Sequence, residues 1–342
     1  MQNTLMHEML ADYGSETLKG IHSYIPNKEP RKYLYDLVAD YPDRGGKGFR
    51  PGLCIAACKA FGGRMDDVRD SAVTLELLHN AFLIHDDVED ESFFRRGKPT
   101  LHESTNRAIA INLGDAMNVL GLYPMFKNRD RLGDRLAKQV FLEVQHMVTE
   151  SVEGQAMELG WRKDNVCTLK ESDYMRMILK KTCWYTCMHP LRIGAIIGSR
   201  GQVDPGIFNR LGYFMGTSFQ IQDDVLNLVA DETRYGKEIG GDIMEGKRTL
   251  MLIHLMGACS EGEHSELVEF LSVPITKRSP ETASMILEWM LRYGSIEHAK
   301  ITAKYLAGAA LKEFYTIFSR LPESRDKTLI ESIILYMINR EY

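Results

Sequence analysis

Residues that interrupt helices are scarce in this chain. Only 11 prolines occur among 342 residues, so long helices meet few obstacles. Long apolar runs are missing as well: no stretch approaches the length of a membrane-spanning helix. The opening segment, MQNTLMHEMLADYGSETLKG, contains no apolar core of a secretory signal, so a cytoplasmic chain is expected. The 6 cysteines lack the spacing of a zinc site or a disulfide framework, which fits free thiols in a reducing compartment. Cys183 and Cys187 share a helical face and read as small apolar residues. A basic excess is also absent, because 42 Lys and Arg against 47 Asp and Glu leave a net charge of −5. That excludes the broad positive field of a nucleic-acid binder. An anionic ligand has to be drawn by local cations or by bound metal.

What is present has mostly a period near 3.6. Val73, Leu77, Ile84 and Val88 mark one apolar helical stripe, and ILKKTCWYTCMHPLRIGAIIG and RLGYFMGTSFQIQDDVLNLVAD read likewise. Alternating β-branched runs are few, and there is no series of hairpin signals. Breaks fall at DYPDRGGKGFRPG, RRGKPT, RYGKEIGGDIMEGKRT and SVPITKRSPET, and none is a long linker. The expectation is one all-helical domain over residues 1–342.

Two acidic clusters carry the chemistry. In HDDVEDESFFRRGK, Asp86, Asp87 and Asp90 have DDxxD spacing, which confines them to a helical sector of roughly 100°. Three carboxylates on one face repel one another without a counter-ion. Magnesium supplies one: it takes oxygen ligands, usually one or two carboxylates plus substrate phosphates. In FQIQDDVLNLVAD, Gln220, Asp223, Asp224, Asn227 and Asp231 repeat the device within apolar surroundings. A di-iron bundle needs Glu-x-x-His on two helices, and His79 and His85 do not fit that spacing. Glu89 and Glu91 read as solvated, or as supports behind the metal ligands.

Cations are placed to match. GGKGFRPG offers Lys47 and Arg50 in a glycine-rich loop that is not a P-loop. Arg95 and Arg96 follow the first cluster. Lys181 and Thr182 interrupt an apolar helix, and Lys237 and Lys247 flank the turn after the second cluster. His79 precedes Asp86 by seven residues, on the same face. One diphosphate does not need so many cations. Arg95, Lys181, Lys237 and Lys247 can act beside the metals, while Lys47, Arg50, His79 and Arg96 hold a second anion.

In this order the motifs GGKGFRP, LLHNAFLIHDDVEDESFFRRGKPTLH, NLGD, EGQAMELGW, KKT, FQIQDDVLNL and GKEIGGDIMEGKRTL resemble the trans-polyprenyl diphosphate synthases. The resemblance implies the isoprenoid synthase fold, Mg2+ as cofactor with three ions, and a homodimer. It implies that Asp86, Asp87, Asp90, Asp223 and Asp224 hold the metals against an allylic diphosphate. Arg95, Lys181, Gln220, Lys237 and Lys247 are its remaining partners. Lys47, Arg50, His79 and Arg96 form the isopentenyl diphosphate site. Thr182 and Gln220 lie near the reacting carbons, and Gln155 matches the family's glutamine. Two positions depart from the pattern: Asn227 stands where many members carry aspartate, and Glu158 where GQxxD has aspartate.

The implied reaction is Mg-dependent ionisation, condensation and elimination, with charge stabilised by metals and lysines in a dry cavity. The released diphosphate accepts the proton, so no side-chain base is required. The product grows along the helix of Asp86. Phe82 lies about 6 Å up that helix from Asp86, next to Ala81. In the resembled family bulk at these two places sets where the tail stops, and one aromatic beside an alanine implies room beyond C15, so geranylgeranyl diphosphate (C20) is the expected product; farnesyl (C15) and C25 products are the alternatives, and Phe82 as plain core packing is another reading. A class I terpene cyclase is the rival activity, but it has no use for the second anion set. A non-catalytic subunit is the other rival, and it would not need both carboxylate sets.

Overall fold

The computed structural model describes residues 2–229 and 240–339. Its long helices are α1 (Gln2–Tyr24), α2 (Phe49–Ala60), α3 (Met65–Glu89), α4 (Arg107–Leu120), α5 (Leu122–Leu132), α6 (Asp134–Lys163), α7 (Glu171–Ile178), α8 (His189–Gly198), α9 (Asn209–Val229), α10 (Leu250–Ala258), α11 (Glu261–Ser272), α12 (Pro280–Arg292), α13 (Ser295–Phe318) and α14 (Arg325–Asn339). The one strand pair among the described residues is a short antiparallel ribbon, Phe94–Arg95 with Lys98–Pro99. The all-α expectation holds.

Helix starts follow local chemistry. Asn106 caps α4 by accepting from the Ile109 N–H at 2.9 Å, and Ser260 with Glu263 forms a capping box on α11. Ser279 caps α12, with Pro280 as its first residue. The predicted stripe of Val73, Leu77, Ile84 and Val88 is buried in a cluster with Ile21, Leu113 and Met117. Each such side chain contributes about 1.5–3 kcal/mol on burial. That side of α3 is thus spent on packing, which leaves His79, Phe82 and Asp86 on another side of the helix. A second cluster joins α2 and α8 to α13 and α14 through Leu53, Leu191, Phe314 and Ile333. A third surrounds α9, α10 and α12 through Ile221, Val225, Leu255 and Trp289.

Between α7 and α8 the chain runs for 10 residues, Leu179–Met188, as a π-helix. Such wide turns are rare and gather at functional sites. This segment is pressed between two glycines. A Cβ on Gly154 of α6 would lie 2.2 Å from the Lys181 backbone nitrogen, and one on Gly216 of α9 would lie 2.7 Å from the Cys183 Cα. Close approach here requires glycine on both flanks. Cys183 and Cys187 are fully buried within the segment, as their apolar reading predicts.

Candidate active site

A cavity of about 670 Å³ opens between α3, α6, the π segment, α9 and the turn before α10. It brings together Asp86, Arg95, Arg96, Arg50, His79, Phe82, Lys181, Thr182, Gln220, Asp223, Asp224 and Lys247 from six stretches of sequence. Lys237 and Asp231 lie outside the described residues.

The first acidic cluster is divided. Asp86 faces the cavity and accepts from Lys181 Nζ at 3.2 Å. Asp90 does not line the cavity, and Asp87 likewise departs from the expectation that all three aspartates face it. Asp87 is fully buried, clasped by the Arg95 guanidinium, and it accepts from the Tyr41 hydroxyl at 2.5 Å. The reason is angular: Asp87 sits about 100° around the helix from Asp86, which turns it toward Arg95. Asp90, the C-cap of α3, is also buried. Its Oδ1 lies 2.8 Å from Arg162 and its Oδ2 lies 2.8 Å from Lys247. Burial pushes the Asp90 carboxyl up, and Lys247 and Arg162 outweigh it, so the net displacement is downward. Glu89 also lines the cavity, and Gln155 Nε2 donates to it at 2.5 Å.

The second cluster is arranged around Asp224. Tyr174 donates to its Oδ2 at 2.8 Å, and Gln220 Nε2 donates to its Oδ1 at 2.7 Å. Gln220 Oε1 accepts from the Thr182 hydroxyl at 2.9 Å, so one chain of bonds links α7, α9 and the π segment. Burial and the neighbouring Asp242 push the Asp224 carboxyl up to about 8. Asn227, the departure in this motif, turns away from the cavity. Its Oδ1 accepts from the Asp242 N–H at 2.9 Å and its carbonyl from the Gly240 N–H at 2.7 Å, which fixes the turn carrying Asp242.

The cations rest on these acids. Lys181 also lies 2.5 Å from Glu158, the second departure from the family pattern. Burial disfavours the Lys181 ammonium, but Asp86 and Glu158 raise it well above the ordinary lysine range. Lys247 lies 2.7 Å from Glu245 and 3.5 Å from Asp242. Beside this group, Arg50 Nη1 meets His79 Nε2 at 3.2 Å, and its Nη2 donates to Thr186 at 2.9 Å. The Arg50 guanidinium stacks over the Tyr185 ring at 4.3 Å. Burial and the charges of Arg50 and Arg96 hold His79 well below the usual imidazole range, so the ring is neutral. Arg96 donates to the Tyr41 carbonyl at 2.9 Å. Lys47 is not brought into the cavity; it is exposed, with its ammonium over Phe49 and Tyr336. The helix begins only at Phe49, which leaves Lys47 on the preceding loop.

Away from the charges the lining becomes apolar: Phe82, Leu83, Val148, Val152 and Phe219. Phe82 packs edge-on against Tyr185 at 5.7 Å. Ala81 does not line this space. It is fully buried in the cluster shared by α1, α3 and α4, a quarter-turn from Phe82.

Tyr41, Tyr174, Arg162 and Asp242 were not singled out by sequence. Asp242 had a signal, an acid between GG and IMEGK. The other three bind acids remote in sequence and leave no local trace.

Among the described residues no group of three His, Cys, Asp or Glu can hold an ion alone. Magnesium fits such a site, since it takes few carboxylates and completes its shell with substrate phosphates and water. Asp223, Asp224 and Asp242, gathered on one wall of the cavity, offer the oxygen donors such an ion takes.

A model of the family described as polyprenyl synthetase matches residues 31–289. A short chain isoprenyl diphosphate synthase of Methanothermobacter thermautotrophicus is 33% identical over 259 residues, 76% of this chain and 77% of that one. A geranylgeranyl diphosphate synthase of Methanosarcina mazei is 31% identical across 100% of both chains. Among solved structures, a geranylgeranyl pyrophosphate synthetase from Pyrococcus horikoshii matches with a TM-score of 0.86 and 29% identity, covering 99% of each chain.

Proposed function

The chain belongs to the polyprenyl synthetase family and is a trans-prenyltransferase, and from that premise we propose its substrates and product. It condenses isopentenyl diphosphate with dimethylallyl, geranyl or farnesyl diphosphate and stops chiefly at geranylgeranyl diphosphate. The observation that carries this reading is one cavity with two cationic groups and an apolar end. The printed names of the relatives support the C20 product.

Asp86, Asp90, Asp223 and Asp224 would hold Mg2+, three ions in all. The metal, when bound, supplies Lewis-acid neutralisation of the leaving diphosphate. Asp87 holds Arg95 in place instead, since both its oxygens are already bonded. Lys181, Arg95 and Lys247 take oxygens of the allylic diphosphate, with Lys237 kept in this set on the family resemblance. Arg50 and Arg96 take the second diphosphate, with neutral His79 as a hydrogen-bonding partner and Lys47, outside the cavity, kept in this set on the family resemblance alone. Thr182 and Gln220 face the reacting carbons and orient their dipoles toward the cation. The carbon–oxygen bond breaks, the isopentenyl double bond attacks, and the proton lost from the adduct passes to the released diphosphate. Phe82 and Tyr185 bound the growing tail.

Exposed apolar residues on α5 and α6, Leu122, Tyr123, Phe126, Phe141 and Leu142, support a homodimer. The helices are taken as one domain. No described helix is long and apolar enough to cross a membrane. The six cysteines form no disulfide, which supports a reducing, cytoplasmic setting.

Mass analysis of products from isopentenyl diphosphate with each primer tests the reading. A C20 product is expected, and no elongation with any primer overturns it. A hydrocarbon formed from geranylgeranyl diphosphate and Mg2+ alone would favour a cyclase.

A further inference from the structure

Arg162 belongs to none of the motifs above, yet it reaches the first acidic cluster. It stands in the last turn of α6, one turn beyond Glu158. Its Nη1 lies 2.8 Å from Asp90 Oδ1, and its side chain is 13% exposed against 0% for the Asp90 carboxylate. The other oxygen, Oδ2, is 2.8 Å from Lys247 Nζ.

These two cations differ in freedom. Lys247 lines the cavity and has alternative acids within reach, Glu245 at 2.7 Å and Asp242 at 3.5 Å. Neither Arg162 nor Asp90 lines the cavity, and the Arg162 guanidinium is ion-paired with Asp90, with Glu158 and Glu245 as further acids in its field. A planar guanidinium is also less hydrated and more pre-organised than an ammonium, which suits it to a fixed buried pair. Asp90 is the C-cap of α3, its N–H bonded to the Asp86 carbonyl at 2.8 Å, and the helix ends beside it at Glu91, whose φ is +55°.

Resting on the functional reading above, we infer that Arg162 is a positioning residue: it anchors Oδ1 of Asp90 so that Oδ2 is presented to metal when Lys247 turns to the substrate diphosphate. Arg162 itself touches neither metal nor substrate. Partners of this kind, one step behind a metal ligand, commonly change metal affinity about 10–100-fold when removed.

The test uses the full chain and the thiolo analogue of geranyl diphosphate, which resists ionisation. Its binding is followed by calorimetry as Mg2+ is raised. Arg162→Gln is expected to move the half-maximal Mg2+ concentration up about 10-fold or more, with isopentenyl diphosphate affinity unchanged. Arg162→Lys keeps the charge without the planar fork and is expected to fall between the two, with an unaltered far-ultraviolet spectrum. An unchanged Mg2+ midpoint in both variants overturns the inference. An equal loss of affinity for both diphosphates overturns it as well, since that is the signature of general damage. If the unaltered chain binds the analogue with no Mg2+ dependence, the functional reading fails and takes this inference with it.

Discussion

Asp224 shows what a single side chain records about its surroundings. Burial and Asp242 hold its proton up to about 8, whereas an unfolded aspartate releases it near 3.9. Between these values the native state binds more protons than the unfolded one, so stability falls as pH rises. Thermal unfolding in chelator is expected to show a falling midpoint from about pH 4 to about pH 8. Asp224→Asn removes the proton and is expected to flatten that slope; an equal slope in the variant refutes the assignment. Mg2+ held by Asp224, as proposed, would displace the same proton, so its binding is expected to tighten as pH rises through this window. Asp86, Gln220, Asp223 and Asp224 reach the cavity as their spacing suggests, because one helix fixes their angles, whereas Asp87 and Asp90 are turned to buried cations. Tyr174 and Tyr41 were not legible in the sequence, because their acceptors stand 50 and 46 residues away and only tertiary packing creates the bond.

The π segment governs behaviour at the level of elements. It carries Lys181, Thr182, Tyr185 and Thr186, and Gly154 and Gly216 let α6 and α9 close on it. A methyl group at Gly154 would overlap the Lys181 backbone. Gly154→Ala is therefore expected to cost about 1–3 kcal/mol in stability, as overpacking does. It is also expected to lower kcat more than 10-fold, because about 1 Å of displacement at a reacting group can cost about 100-fold. Urea unfolding and steady-state kinetics check the two parts separately. Helix positions were legible because an apolar period near 3.6 survives tertiary packing. The wide turn was not, since ILKKTCWYTCMHP reads equally well with ordinary helical spacing. For the same reason Ala81 was placed beside Phe82 on the cavity wall, although one residue of helix rotates it into the core. The NLGD motif acquires a reason only in three dimensions: a Cβ at Gly114 would strike His85 at 2.3 Å.

Over the molecule as a whole, the cavity runs from carboxylates to an apolar end near exposed helices. Phe82→Ala removes a wall of that end and is expected to shift products beyond C20, measured by chromatography of the dephosphorylated alcohols; an unchanged spectrum places the stop elsewhere. Phe126 is 76% exposed on α5, more than an isolated chain gains from. If the proposed homodimer forms through this face, Phe126→Glu is expected to convert it to monomer in sedimentation, and an unchanged mass rejects that face as the contact. The ion pairs inside the cavity have a further consequence. Lys181, Arg95 and Lys247 each rest on an acid in the protein without ligand. A phosphate ester that arrives without divalent ions must break those pairs and then face the aspartates it exposes. On the proposed function, anion and metal together are therefore expected to bind more tightly than either anion alone, since Lys181, Arg95 and Lys247 are each already paired with an acid.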